Sequence, residues 1–192
     1  MSGIPENPGK VLLPIARATI SNAVGRSGAG AAEDSPWLLE QGACFVTLTQ
    51  HEQLRGCIGT LEAHRSLLLD VKANAQAAAF HDPRFSPLTD AELDHTKIEI
   101  SLLSAMQPLQ FSGAHDALAQ MRPGIDGVVF EFGRYRSTFL PQVWEQLPDV
   151  AAFMAHLKQK AGLPPDFWAK EVKLSCYTVS KWKEVTDWEV SK

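Results

Sequence analysis

The sequence predicts an α+β protein with largely antiparallel sheets, on three observations. Residues 43–58 alternate apolar and polar side chains on both sides of a polar break, and the runs 128–132 and 135–139 flank a turn at Gly133-Arg134, each the signature of a hairpin. Other stretches repeat apolar residues at helical spacing. Strands and helices also follow one another without a regular strand–helix–strand rhythm, so a Rossmann-like parallel sheet is the poorer fit.

From Lys10 to Val24, Leu12, Ile15, Ala16, Thr19 and Ala23 recur on one stripe and Gly25 is placed to end a first helix. Residues 26–36, small and polar, read as a flexible surface loop. Cys44, Val46 and Leu48 then alternate with Phe45, Thr47 and Thr49, and the extended pattern resumes over Leu54–Ile58 after a polar break. The alanine-rich run from Ser66 to Phe80 is a strong helix former. Pro83 and Pro87 hold residues 81–88 extended, and Thr89 with Glu92 has the spacing of a capping box. A half-buried strand over 97–104 and a helix over 114–121 follow. The second hairpin turns at Gly133-Arg134. Asp149 is placed to cap a helix that ends before Gly162, and 172–179 reads as a last strand before Lys181-Trp182-Lys183-Glu184.

At 192 residues the chain suits one large domain or two small lobes. A net charge of −4 argues against a general nucleic-acid or membrane-surface binder, and leaves room for a local basic pocket. No apolar run reaches membrane-spanning length, and the first residues lack a signal-peptide pattern, so a cytoplasmic protein is expected. Cys44, Cys57 and Cys176 are odd in number and widely spaced, which indicates neither a disulfide framework nor a zinc knuckle. No cofactor motif is present.

The chemistry concentrates in Gln53–Thr60. In an extended strand Arg55, Cys57 and Gly59 share a face, so a guanidinium would stand beside a thiol and favour the thiolate, with space for a ligand at Gly59. Cys57 and Arg55 are therefore the candidate catalytic pair. Gly56, Gly59, Arg84, Glu99 and His64 are candidates for substrate binding, and no metal site is expected. The alternative for Cys57 is a small buried hydrophobe, the role expected of Cys44 and Cys176. A phosphatase loop needs an arginine six positions after its cysteine, where Ala63 stands, and the P-loop spacing also fails. A cysteine–histidine dyad would need His51, His64 or His81 to reach Cys57, and a metal site from Cys57, His64, His81 and Asp82 matches no standard spacing. Arg84 either forks an anionic ligand or pairs an acidic neighbour, and Glu99 is either a general base or an ion-pair partner of Arg55. Arg134 and Arg136 read as a solvated edge, and Trp182 between two lysines is poor evidence for base stacking.

Several separated segments resemble the AMMECR-type domain: Phe45-Val-Thr-Leu48, Leu54-Arg-Gly-Cys-Ile-Gly59, Asp82-Pro-Arg-Phe85 with Pro87-Leu88, Ile98–Ser104, Asp126-Gly-Val128, Phe139–Val143 and Lys160-Ala-Gly-Leu163. They occur in order over about residues 10–184, which marks a single domain after an N-terminal tail of residues 1–9. The hexapeptide Leu54–Gly59 is the family hallmark. Within the family the chain resembles the bacterial branch called AmmeMemoRadiSam system protein A, after its grouping with a MEMO-like and a radical-SAM protein. The resemblance implies an α+β domain of two unequal, closely associated lobes, and it implies little about activity. Two expectations follow. In one, the protein is an enzyme or enzyme component whose small-molecule cleft between the lobes is centred on Arg55 and Cys57, with Cys57 as an activated thiol. In the other it is a non-catalytic adaptor serving MEMO-like and radical-SAM partners, with a buried Cys57 and an exposed apolar patch.

Overall fold

The computed structural model describes residues 4–26 and 30–185. The described residues divide into two compact units: those up to 103 together with 180–185, and residues 104–179. Both are α+β with antiparallel sheets, as the alternation predicts.

In the first unit, α1 (Gly9–Ala23) ends at Gly25, whose φ of 88° is easy only for glycine. The loop expected over 26–36 closes in a 3-10 turn at Pro36–Leu39, and residues 27–29 lie outside the described residues. Strands β1 (Cys44–Gln50) and β2 (Gln53–Gly59) form the first hairpin. Its two-residue turn, His51-Glu52, has positive φ at both positions, the geometry that matches the twist of paired strands. Helix α2 (Leu67–Phe80) is capped by Ser66. The short α3 (Asp90–Leu93) follows, with Glu92 Oε2 accepting from the backbone N–H of Thr89 at 2.9 Å, as the capping-box spacing predicts. Strand β3 (Thr96–Leu103) pairs with β1.

The second unit holds β4 (Gln107–Pro108), α4 (Ala114–Ala119), β5 (Gly127–Phe132), β6 (Tyr135–Phe139), α5 (Val150–Lys160) and β7 (Lys173–Tyr177), with its sheet in the order β4-β7-β5-β6. Asp149 caps α5, its Oδ1 accepting from Ala152 N–H at 2.8 Å. Trp144 stacks on Phe153 in its core, with ring centroids 3.7 Å apart. Arg136 pairs with Glu131 across the hairpin at 3.1 Å.

The C-terminal segment departs from expectation. The single strand expected over 172–179 stops at Tyr177, and Val179–Lys183 forms a further strand, β8, in the other sheet, whose order is β2-β1-β3-β8. Residues 181–183 alternate lysine and tryptophan with too little apolar content to announce a strand. They are held there by long-range partners: Trp182 packs on the first unit's core, and Glu184 N–H donates to the Ile98 carbonyl at 2.9 Å.

The first unit's core joins Leu12, Ile15 and Ile20 of α1, Val71, Ala75 and Ala78 of α2, and the inward row Cys44, Val46, Leu48, Ile98 and Ile100 of the sheet. The opposite face of that sheet carries Phe45, Thr47, Cys57, Gly59 and Glu99, which follows from the pairing register.

Candidate functional site

All seven candidate residues belong to the first unit: Arg55, Gly56, Cys57 and Gly59 on the edge strand β2, His64 and Arg84 in the connections that follow it, and Glu99 on β3, two strands away. The strict alternation expected to place Arg55 and Cys57 on one face is interrupted. Leu48 pairs with Gly56 while Thr49 pairs with Leu54, so Arg55 is one extra residue in a β-bulge. Leu54 thereby takes the face of Thr49 and Cys57, and it is exposed. Arg55 is buried, at 9% exposure, and donates from Nε to Glu92 Oε1 at 3.0 Å. Its Nη1 is buried without an acceptor among the described residues. The Arg55 hydrogen bond, opposed by desolvation and aided by Thr89, pulls the Glu92 carboxyl down to about 2. The partner of Arg55 is thus Glu92 rather than Glu99.

A different arginine reaches the cysteine. An edge strand leaves backbone groups unpaired on its free side, and at Cys57 these groups are taken up by the Asp82-Pro-Arg84 turn. Cys57 N–H donates to Asp82 Oδ2 at 2.9 Å, and Arg84 Nη2 donates to the Cys57 carbonyl at 3.3 Å. Asp82 in turn accepts from Arg84 Nε at 2.9 Å and Nη2 at 2.7 Å. The Asp82 carboxylate is almost wholly enclosed and the Arg84 guanidinium is half exposed, with side-chain exposures of 2% and 54%. The Arg84 hydrogen bonds first, then the Cys57 and Arg84 amides, hold the Asp82 carboxyl well below the usual carboxylate range against desolvation. The Phe85 ring lies 5.5 Å from the Arg84 guanidinium carbon and 5.9 Å from that of Arg55.

The thiol itself is half-buried and accepts a hydrogen bond from Thr47 Oγ1, with O and S 3.3 Å apart. Thr47 is the cross-strand partner of both Cys57 and Glu99, so thiol, hydroxyl and carboxylate form one row across β2, β1 and β3. Neighbouring strands are ~4.8 Å apart, which puts the Cys57 and Glu99 backbones ~10 Å apart on the same face. Glu99 is half-buried and has no hydrogen-bonded or ionic partner among the described residues. The other two cysteines are buried. Desolvation, reinforced by Asp70, pushes the Cys44 thiol far up, and desolvation pushes the Cys176 thiol up to about 11.

The glycines serve packing. A Cβ on Gly56 would stand 2.2 Å from the Ala78 carbonyl oxygen, so the absent side chain lets α2 approach β2. At Gly59 the space expected for a ligand is filled by Phe45, whose ring would lie 2.2 Å from a Cβ there. His64 is exposed in the loop after β2, its Nδ1 3.0 Å from the Glu62 carbonyl oxygen. His81 is exposed just after α2, and His51 stacks on His95. Among the described residues no three His, Cys, Asp or Glu side chains stand together as a metal site would require.

A buried polar network behind β2 was not read from the sequence. Asp70 is fully buried and accepts from Cys44 N–H at 2.8 Å, Thr60 Oγ1 at 2.7 Å, Arg65 Nε at 2.8 Å and Asn74 Nδ2 at 3.0 Å. Asn74 also donates to the Cys44 carbonyl at 3.0 Å. The network ties the start of β1 and the end of β2 to the first turns of α2. Its signal was a lone carboxylate inside Leu67-Leu-Leu-Asp-Val71, since a charge on a packed helix face needs partners. The roles of Thr47 and Asp82 depend on register and on the turn, which have no local signal.

The profile of the AMMECR1 family matches residues 13–182. Protein MJ0810 of Methanocaldococcus jannaschii is 38% identical over 150 residues, covering 76% of this chain and 75% of its own. A protein of Methanothermobacter thermautotrophicus is 35% identical over 175 residues, covering 89% and 91%. The crystal structure of an uncharacterized protein, PH0010 from Pyrococcus horikoshii, is similar with a TM-score of 0.72 at 30% identity, covering 92% of this chain and 91% of that one. These relatives are archaeal, as are six further proteins 34–38% identical to this chain, which corrects the expected placement in the bacterial branch. A profile match across nearly the whole chain, joined by relatives this similar over most of their length, shows that the chain belongs to the AMMECR1 family.

Proposed function

We propose that this protein is a cytoplasmic enzyme, or a component of one, that holds a small molecule over the outer face of its first sheet and engages it through the Cys57 thiol. The observation that carries this reading is the contrast among the three cysteines: Cys44 and Cys176 are buried, whereas Cys57 is partly accessible and set in a row with Thr47 and Glu99. Thr47 orients the sulfur by donating to it, the half-exposed Arg84 has N–H groups left for an anionic part of a substrate, and Glu99 stands ready to take or return a proton. Arg55, bound to Glu92, supports the bulge that shapes the strand. Three free thiols fit a reducing compartment, and no helix among the described residues is long and apolar enough to cross a membrane.

The competing proposal is an adaptor acting with MEMO-like and radical-SAM proteins, which needs a buried Cys57. Alkylation of the native protein with iodoacetamide at pH 8, read by peptide mass spectrometry, separates the two. With its pKa at about 11, Cys176 presents only about 0.1% thiolate at pH 8, and its label should rise about tenfold per pH unit from there. Cys57 should carry nearly all the early label. Labelling of Cys57 no faster than that of Cys44 and Cys176 would reject the enzyme reading and leave the adaptor.

A further inference from the structure

Strand β8 ends its sheet, so its outer edge has no paired strand among the described residues. Between that edge and the N-terminal half of α1 lies an open groove of about 990 Å³. Gly9, Lys10, Leu13, Pro14 and Arg17 line its helical wall, a spacing that keeps them on one face of α1. Pro14 has no N–H, which removes the helical donor that would otherwise meet the Lys10 carbonyl on this wall. Trp182 closes the floor against Gly9, where a Cβ would stand 2.3 Å from the indole.

The groove's charge opposes that of the whole protein. The chain carries −4, yet the groove gathers Lys10, Arg17, Lys181 and Lys183 against one carboxylate, Glu184, which Arg17 already binds. Lys183 pairs with Glu52, whereas Lys10 and Lys181 are exposed and without partners among the described residues. Along β8 the side chains divide by alternation. Trp182 and Glu184 turn to α1, so Lys181 and Lys183 take the other face. A strand laid against this edge would meet the same division, with apolar side chains over Leu13, Pro14 and Trp182 and every second side chain beside the lysines. Edge lysines repel a second copy of β8 and attract carboxylates.

We infer that this groove binds an extended partner segment of alternating acidic and apolar residues, added as a further strand on β8. The inference is independent of the reading of Cys57, since no residue of the groove belongs to that site.

The test is fluorescence polarisation of the full chain with a fluorescein-labelled heptapeptide alternating glutamate and valine. Two companion peptides replace glutamate by lysine, or methylate alternate backbone nitrogens. The glutamate–valine peptide should bind, and each companion should bind about tenfold or more weakly, as should the parent peptide to the K181E protein. Lys181 is exposed, and circular dichroism checks that the variant folds. Absence of binding, equal binding of the lysine peptide, or indifference to N-methylation would overturn the inference. The chain's own C-terminal sequence contains Asp187-Trp188-Glu189-Val190, with the same alternation. A tenfold gain in peptide affinity on D187K/E189K would assign the groove to that segment and overturn the partner reading.

Discussion

Replacing Asp70 removes the acceptor on which four donors converge, and the structure sets the size of the loss. In Asp70→Asn the one amide oxygen can keep Cys44 N–H on the Oδ2 side, but an NH2 then replaces the Oδ1 that serves the Thr60 hydroxyl and Arg65, and the charge that faces Arg65 is gone. Breaking one side of a buried pair costs about 3–5 kcal/mol, and because the Arg65 side chain is 30% exposed and can turn to water, about 2–3 kcal/mol is expected here. Asp70→Ala also strands the buried Cys44 N–H and the Thr60 hydroxyl, each worth about 1–3 kcal/mol, and should cost about 4 kcal/mol or more. Urea titration followed by far-UV circular dichroism measures both. With a slope of about 1–3 kcal/mol per molar urea, even the asparagine variant should lower the midpoint by about 1 M. A double-mutant cycle with Arg65→Met should return a coupling of about 1 kcal/mol or more. An alanine variant within about 0.5 kcal/mol of the parent would refute the claim that this network anchors β1 and β2 to α2.

Two further changes probe the surroundings of Cys57. The folded-state pKa of Glu92 lies at about 2, below its ordinary 4.5, so its bond to Arg55 stabilises the protein above pH 4.5 and is lost as pH falls toward 2. Since the Glu92 side chain is 32% exposed, screening reduces the expected cost of Glu92→Gln to about 1–2 kcal/mol at pH 7. Stability curves of parent and variant should converge by pH 2, and curves that stay apart would contradict the assignment. Gly56→Ala should cost about 2–3 kcal/mol, because its Cβ meets the rigid Ala78 carbonyl. Gly113→Ala, where a Cβ meets nothing within 4 Å and φ is extended, is the matched control and should cost little in the same thermal melt.

Most of the elements were legible because their evidence is local. Alternation marked the first hairpin and the Gly133-Arg134 turn the second, the run of alanines marked α2, and Thr89 with Glu92 and Asp149 marked helix starts, since each needs only residues a few positions apart. The family hallmark was equally legible, and it does contain the half-buried thiol. What the local pattern could not carry was which groups meet. One extra residue at Arg55 turned its guanidinium to Glu92, and the place expected for it beside Cys57 went to Arg84, 29 positions further along the chain. The ligand space expected at Gly59 was taken by the ring of Phe45 from the neighbouring strand. Strand β8 joined a sheet whose other members lie some eighty residues or more earlier in the chain. Periodicity determines which face of an element is apolar and where the element ends. Register, bulges and edge capping are decided by hydrogen bonds and contacts between distant segments, which exist only once the chain has folded.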